Sequence, residues 1–262
     1  MILDEIVRHK RSEVETAKRA RPLEVVRREA IARSGRSGTF AAALRGREPV
    51  AVIAEIKRRS PSKGILRENF EPVAVARAYA SAGAAALSVL TDERFFGGSP
   101  EHLRAVREAV RLPILRKDFI LEAYQVYETR AMGADAMLLI ASALNGPELG
   151  ELSALGAELG LDCLVEVHSD ADAEKALAVR PALVGINNRD LATFEVDRRT
   201  TERLAGRFLT AGITVISESG IQTHADLLYL KSLGVQAALV GESLVRQADV
   251  AAALRKLLGE GA

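Results

Sequence analysis

Five short apolar runs in this chain end on ionisable or amide side chains, and that placement restricts what the chain can fold into. Ala51-Val52-Ile53-Ala54 leads into Glu55-Ile56-Lys57, and Pro113-Ile114-Leu115 into Arg116-Lys117-Asp118. Cys163-Leu164-Val165 stops at Glu166, Leu183-Val184-Gly185-Ile186 at Asn187-Asn188-Arg189, and Thr214-Val215-Ile216 at Ser217-Glu218-Ser219-Gly220. Burying unpaired charge is expensive. Five such ends are tolerable when they converge on one wet pocket, as strand ends do at the C-terminal face of a (β/α)8 barrel.

The rest of the pattern agrees. From residue 49 onward, strand-like runs near 50–57, 85–90, 113–117, 136–141, 162–167, 183–187, 213–217 and 237–240 alternate with helically spaced segments. Those segments cover 71–82, 100–110, 121–132, 146–159, 170–178, 198–208, 222–233 and 244–258. Gly83, Gly133, Gly160 and Gly234 each follow a helix, where a C-terminal glycine cap belongs. Near-continuous apolar strands alternating with amphipathic helices imply a parallel sheet covered by helices. The fold class expected is α/β, a (β/α)8 TIM barrel over 49–262. A doubly wound open sheet would need a glycine-rich nucleotide turn after the first strand, and Glu55-Ile56-Lys57-Arg58-Arg59-Ser60 is not one.

Residues 1–48 read differently. Helical spacing over 4–19 breaks at Pro22, a second helix runs to about residue 33, and Ser34-Gly35-Arg36-Ser37-Gly38 makes a turn-rich joint before a short helix at 40–44. The expectation is an N-terminal helical extension packed on the barrel, giving a single domain overall.

The length of 262 residues is near the roughly 250 of one such barrel. A net charge of +1 supplies no global field for nucleic acid or an anionic membrane, so attraction for anions must be local. The most apolar window, 136–144, falls well short of the roughly 20 residues that span a bilayer. An opening Met1-Ile2-Leu3-Asp4-Glu5 is unlike a signal peptide, and a cytoplasmic protein is expected. The single cysteine, Cys163, excludes an intramolecular disulfide and reads as a buried, inert thiol.

Side chains two apart on a strand share a face. Glu55 with Lys57, Leu115 with Lys117, Leu164 with Glu166, and Asn187 with Arg189 are therefore expected to point together into the mouth. Such a set suits acid–base work on an anionic substrate. The chain carries 28 arginines and 8 lysines. Lysine at 57 and 117 fits proton transfer, because an ammonium can give up its proton and a guanidinium in effect cannot.

The loops after strands seven and eight commonly form the phosphate site of these barrels. Here they carry Ser219-Gly220 and Gly241-Glu242-Ser243, small residues that let backbone N–H groups approach an anion. Glu242 is an awkward neighbour for phosphate unless its side chain turns away. The basic first loop, 57–69, is either a lid or a solvated charged loop. In the second loop, Phe95 and Phe96 either stack on a planar substrate or pack against the N-terminal helices. No Walker A loop, Rossmann fingerprint or His-Glu-x-x-His helix is present, and the four histidines are scattered, with only His168 near a strand end. Metal and dinucleotide chemistry are not expected.

Taken together, Glu55-Ile56-Lys57-Arg58-Arg59-Ser60-Pro61-Ser62, Ser88-Val89-Leu90-Thr91-Asp92, Phe95-Phe96-Gly97-Gly98 and Leu115-Arg116-Lys117-Asp118-Phe119 resemble signature segments of the indole-3-glycerol-phosphate synthase family. So do Leu164-Val165-Glu166-Val167-His168, Gly185-Ile186-Asn187-Asn188-Arg189-Asp190-Leu191, Ser217-Glu218-Ser219-Gly220-Ile221 and Ala238-Leu239-Val240-Gly241-Glu242-Ser243-Leu244. The likeness spans essentially the whole chain. It implies a carboxy-lyase of tryptophan biosynthesis that needs no metal or cofactor. The implied reaction closes 1-(2-carboxyphenylamino)-1-deoxyribulose 5-phosphate to an indole with loss of CO2 and water.

By the same resemblance Lys117 is the general acid that protonates the ketone oxygen, and Glu166 serves the later dehydration. Glu55, Asn187, Glu218 and Ser219 hold the anthranilate and hydroxyl groups. Lys57, Arg189, Ser219, Gly220 and Gly241 lie on the phosphate side, with Lys57 also near the chemistry. Ser60, Phe96, Phe119, Leu138 and Leu239 line the pocket. The implied partners are the phosphorylated substrate and, as candidates, other enzymes of the pathway. Two carboxylates beside Lys117 favour its charged form while burial opposes it, and the sequence leaves that contest open. The rivals are a Schiff-base aldolase with Lys117 as nucleophile, a related isomerase barrel, and a phosphate-binding module without catalysis.

Overall fold

The eight apolar runs form eight strands that hydrogen-bond side by side into a closed parallel barrel. The computed structural model describes residues 2–33, 38–190, 193 and 195–260, so all but Gly38 of the joint expected at 34–38, and Leu191 of the sixth signature segment, lie outside the described residues. In chain order the strands are β1 (Ala51–Ile56), β2 (Ala86–Leu90), β3 (Ile114–Lys117), β4 (Ala136–Ile140), β5 (Asp162–Val167), β6 (Leu183–Asn187), β7 (Thr214–Glu218) and β8 (Ala237–Val240). Each pairs with its sequence neighbours, and β1 closes on β8 with Ala51 opposite Ala237 and Ala54 opposite Val240.

Alternation along each strand sorts side chains into two shells. Val52, Ala54 and Ile56 face outward with Val165, Val167, Val184 and Ile186, where the helices cover them. Ala51 and Ile53 face inward with Leu115, Leu138, Leu164, Leu183, Ile216 and Leu239. Continuing that inward register by two residues gives Glu55, Lys117, Glu166 and Glu218. The apolar plug of the barrel thus turns into an ionic layer at one depth, as the period of two requires.

The helices that cover the barrel are α4 (Pro72–Ser81), α5 (Pro100–Ala109), α6 (Ala123–Met132), α7 (Gly146–Glu158), α8 (Asp170–Val179), α9 (Arg199–Thr210), α10 (His224–Ser232), α11 (Glu242–Val245) and α12 (Val250–Leu258), preceded in the chain by α1 (Ile2–Ala20), α2 (Leu23–Ala32) and α3 (Thr39–Ala43). Their starts are written locally. The Asn145, Ser169 and Thr223 side chains each accept the backbone N–H three residues on, in capping boxes closed by Glu148, Asp172 and Asp226. Their ends use the expected glycines: Gly83, Gly133, Gly160 and Gly234 all have positive φ.

One expectation is corrected. The helix expected over 244–258 is broken: α11 ends at Val245, and α12 restarts at Val250 because the Asp249 side chain accepts the Ala252 N–H. Within the first loop, Arg59-Ser60 pairs antiparallel with Gly64-Ile65 in a small hairpin.

The N-terminal helices traverse the barrel from mouth to base. Lys10 of α1 reaches Asp92 and Asp118, just beyond the C-terminal ends of β2 and β3. Helix α2 runs against α6, where Arg33 donates to Ala131 O and Arg130 donates to Arg33 O. Phe40, Ala41 and Leu44, in and just after α3, join the inner apolar cluster at the barrel base, and the Ala41 N–H donates to Asp162 Oδ2 at 3.0 Å.

Candidate active site

At the C-terminal mouth lies a cavity of about 900 Å³. The inward register delivers Glu55 from β1 and Lys57 from just beyond it, Lys117 from β3, Leu138 from β4, Glu166 from β5, Asn187 from β6, Glu218 from β7 and Leu239 from β8 into its wall. The loops add Ser60, Phe96, Phe119, Arg189, Ser219, Gly220, Gly241, Glu242 and Ser243. Every site residue expected from the sequence lines this one cavity.

Its centre is Lys117. The ammonium donates to Glu166 Oε2 at 2.9 Å and to Glu218 Oε2. Burial opposes the charge on Lys117, but Glu166, Glu218 and Glu55 outweigh it and hold the ammonium well above the ordinary lysine range. The contest left open by the sequence is decided for the charged form. An ammonium at neutral pH has no lone pair to attack a carbonyl, which argues against the Schiff-base reading.

The two carboxylates differ. Burial pushes Glu166 up, yet Lys117 and the Asn187 amide, which donates to Glu166 Oε1 at 3.2 Å, bring it below the ordinary carboxylate range. Glu218 goes the other way: burial dominates, Lys117 opposes it, the charge on Glu166 adds to it, and the group is pushed up to about 7. Its second oxygen, Oε1, is buried without a hydrogen-bond partner among the described residues and lies over Gly185. Two glycines make room for Glu218 and Glu55. A Cβ on Gly185 would sit 2.1 Å from Glu218 Oε1, and one on Gly241 would sit 2.2 Å from Glu55 Oε2.

Asn187 ties this cluster to the anion side. Its Oδ1 accepts the Ser219 hydroxyl at 2.9 Å and the Arg189 N–H at 3.0 Å. Ser219 and Gly220, both in the cavity wall, have positive φ, which marks a sharp backbone turn after β7. The Ser243 hydroxyl donates to Ile221 O at 2.9 Å and so joins the loops after β7 and β8. Glu242 stays in the cavity wall, its oxygens meeting Arg189 at 3.5 Å and Arg246 at 3.4 Å, so its charge is offset by two arginines rather than turned away. Lys57 pairs with Glu55 Oε2 at 2.5 Å, which joins it to the chemical side as well as the phosphate side.

The second loop divides its aromatics. Phe96 faces the cavity, its ring centroid 6.0 Å from that of Phe119, whereas Phe95 packs edge-on against His9 of α1. His168 stays out of the cavity wall, its ring on Asn187 O at 2.8 Å. Cys163 is only part-buried; its thiol bonds Ser153 O, and burial pushes it up to about 12, consistent with an inert role.

Sequence reasoning missed Arg246 and Gln247, which line the cavity. They follow α11 in the break that the uninterrupted helix expected over 244–258 concealed, and Asp249 as a cap was the available signal. It also missed Arg67, which donates to Val245 O and Gln247 O at 3.1 and 2.8 Å and ties the first loop to the eighth.

A family model described as indole-3-glycerol phosphate synthase matches residues 3–257. The chain belongs to that family. A relative of that name from Azoarcus sp. strain BH72 is 52% identical, with 98% of this chain and 99% of the relative covered. One from Chromobacterium violaceum is 49% identical over 98% and 97% of the two chains, and one from Thermoanaerobacter pseudethanolicus 47% over 95% and 94%. Among solved structures, a 3-hexulose-6-phosphate synthase overlays with a TM-score of 0.63 at 17% identity, covering 81% of this chain and 100% of that one. A KGPDC from Streptococcus mutans gives 0.60 at 14%, covering 80% and 97%. At that identity the likeness concerns the fold alone. Among the described residues, no helix is long and apolar enough to cross a membrane.

Proposed function

We infer that this mouth carries out the indole-3-glycerol phosphate synthase reaction, with Lys117 as the general acid of ring closure. The observation that carries the reading is Lys117 held as an ammonium between Glu166 and Glu218 in a cavity that also has an aromatic wall and a glycine-rich anion side. The substrate is 1-(2-carboxyphenylamino)-1-deoxyribulose 5-phosphate. Its phosphate goes to the Ser219-Gly220 and Gly241-Glu242-Ser243 loops with Arg189 and Lys57. Its aromatic ring lies by Phe96, Phe119, Leu138 and Leu239, with Ser60 at the loop edge.

Closure forms a bond between the carboxyl-bearing ring carbon and the ketone carbon. The carbonyl π pair moves onto oxygen, and Lys117 supplies the proton that makes it a hydroxyl. An ammonium this strongly held releases its proton only to a basic centre, and the nascent alkoxide is one. Loss of CO2 returns its bonding pair to the ring and restores aromaticity. The hydroxyl then leaves as water, protonated by an acid, while a proton is taken from the methylene beside nitrogen. Glu166 acts in that exchange, with Asn187 fixing its orientation and Glu55 and Glu218 holding polar groups of the substrate. One proton is consumed overall, and Lys117 regains it from solvent.

No step calls on a metal or a cofactor. The helical extension 1–48 is read as part of the same unit as the barrel, the protein as cytoplasmic, and other enzymes of the pathway as its candidate partners. The test adds the substrate to purified protein with a chelator present and follows indole absorbance. Chelator-resistant product formation supports the reading; folded protein that yields no indole removes it. Binding of substrate unaltered by Lys117→Ala, without turnover in the parent, would favour the binding-module alternative.

A further inference from the structure

A lysine outside the barrel is wired to the pocket wall. Lys10 lies in the middle of α1, yet its side chain is 1% exposed. Its ammonium meets Asp92 Oδ2 at 3.0 Å, Asp118 Oδ1 at 2.9 Å and Glu13 Oε1 at 2.9 Å. Asp92 and Asp118 are themselves fully buried. Burial alone would neutralise such a lysine, but Asp118, Asp92 and Glu13 keep it charged, above the ordinary lysine range.

The two aspartates hold the aromatic wall by its backbone. Asp92 Oδ1 accepts the N–H of Phe95 at 2.8 Å and of Phe96 at 3.2 Å. Asp118 Oδ1 accepts the N–H of Phe119 at 2.8 Å, and its Oδ2 accepts from Thr91 at 2.6 Å and from Arg116 at 2.9 Å. Phe96 comes from the loop after β2 and Phe119 from the loop after β3, and both rings line the cavity. Arg116 offsets one aspartate only, and it is also engaged by Glu128 at 2.8 Å. Among the described residues, Lys10 is the cation that touches both.

We propose that Lys10 is a positioning residue of the active site: it clamps the loops after β2 and β3 together and so sets the Phe96–Phe119 slot that receives the aromatic ring of the substrate. Without it, two buried carboxylates are left around the vacated ammonium position, and only Asp118 keeps a guanidinium, that of Arg116. Each such group must then move toward water or take up a proton, and either change shifts the peptide it holds. The phosphate loops, on β7 and β8, have no part in this clamp. The proposal rests on the reaction assigned above only in naming an aromatic ring as the occupant of the slot.

That asymmetry gives the test. Binding of two probes, anthranilate for the ring side and ribulose 5-phosphate for the phosphate side, is measured by calorimetry on the full chain and on Lys10→Met. The expected result is about tenfold weaker anthranilate binding, the scale of a lost aromatic contact, with ribulose 5-phosphate unchanged. Adding Asp92→Asn to Lys10→Met keeps the Oδ1 acceptor, removes one of the two charges, and restores most of the loss. Equal weakening of both probes, no weakening of either, or absence of rescue would overturn the proposal. If Lys10→Met does not fold, Asp92→Asn alone serves: it weakens the grip of Lys10 on the β2 loop, and selective loss of anthranilate affinity is again the supporting result, its absence the opposing one. A parent protein that binds both probes but forms no indole would refute the assigned reaction and leave the clamp testable.

Discussion

Gly185 offers a sharp test of whether the cavity geometry is the catalytic geometry. It lies on β6, inside the barrel, with no side chain of its own to bind anything. A methyl group there would stand 2.1 Å from Glu218 Oε1, while ordinary carbon–oxygen contact begins near 3.4 Å. The difference, 3.4 − 2.1 = 1.3 Å, is the displacement Gly185→Ala imposes on the carboxylate. Glu218 has nowhere easy to go: it is 2% exposed, and its other oxygen is bonded to Lys117. Misplacement by about 1 Å in a catalytic constellation costs on the order of 100-fold in rate, so kcat should fall by about that factor. The φ of Gly185 is not positive, so alanine suits the backbone, and crowding should cost only about 1–3 kcal/mol of stability. Indole absorbance reports turnover, and thermal unfolding reports the fold. The decisive control is the double variant. Once Glu218→Ala has removed the carboxylate, adding Gly185→Ala has nothing left to displace and should lower kcat no further. Turnover of Gly185→Ala within about threefold of the parent, or losses that multiply in the double variant, would refute the reasoning.

Three further outcomes follow from the same geometry. Lys117→Met should lower kcat by about a hundred- to ten-thousandfold, the range of a positioned acid; near-parent product formation would remove its role. Glu218, raised by burial despite Lys117 and further by Glu166, has a folded pKa of about 7 against 4.5 when exposed. A raised folded pKa contributes stability that is complete below the exposed value and lost as pH climbs through the folded one. The denaturant stability of the parent minus that of Glu218→Gln should therefore shrink between about pH 5 and about pH 8, and an unchanging gap would contradict it. Arg67→Ala removes the donors that hold Val245 O and Gln247 O, so calorimetric affinity for inorganic phosphate should fall by about three- to tenfold; undiminished affinity would show that the eighth loop needs no such tie.

What was readable in the sequence was whatever depends on periods of two and 3.6. Strand positions came out within a residue or so because each run is short, apolar and bounded, and the inward set followed by counting in twos from Ile53 to Glu55 or from Leu115 to Lys117. Glu218 is instructive: the expected strand ended at 217, yet the register carries one residue further and makes it part of the ionic layer. The protonation balance at Lys117 was not readable, because it turns on distances between residues 49 and 101 positions away. Nor was the break after Val245, where a single Asp249 cap outweighs the helical propensity of the flanking residues.

The extension marks the limit most clearly. Apolar spacing in 4–19 says that one face of a helix is buried, and Ile6, Lys10 and Val14 do form that face. Spacing cannot say against what. Lys10 occupies a position in that stripe where an apolar residue would satisfy the pattern equally well, so a periodicity argument passes over it. A buried lysine is tolerable only with partners that already carry the opposite charge. Here the partners are carboxylates that also hold the peptides of the aromatic wall, Asp92 through its other oxygen and Asp118 through the same Oδ1 that meets Lys10. An ammonium at this point of an otherwise apolar stripe therefore stabilises the docked helix only while the loops beneath it keep the shape the substrate needs. Replacing it with an isosteric apolar side chain separates the two roles: the helix face becomes uniformly apolar and can stay docked, and any selective loss of ring affinity belongs to the clamp.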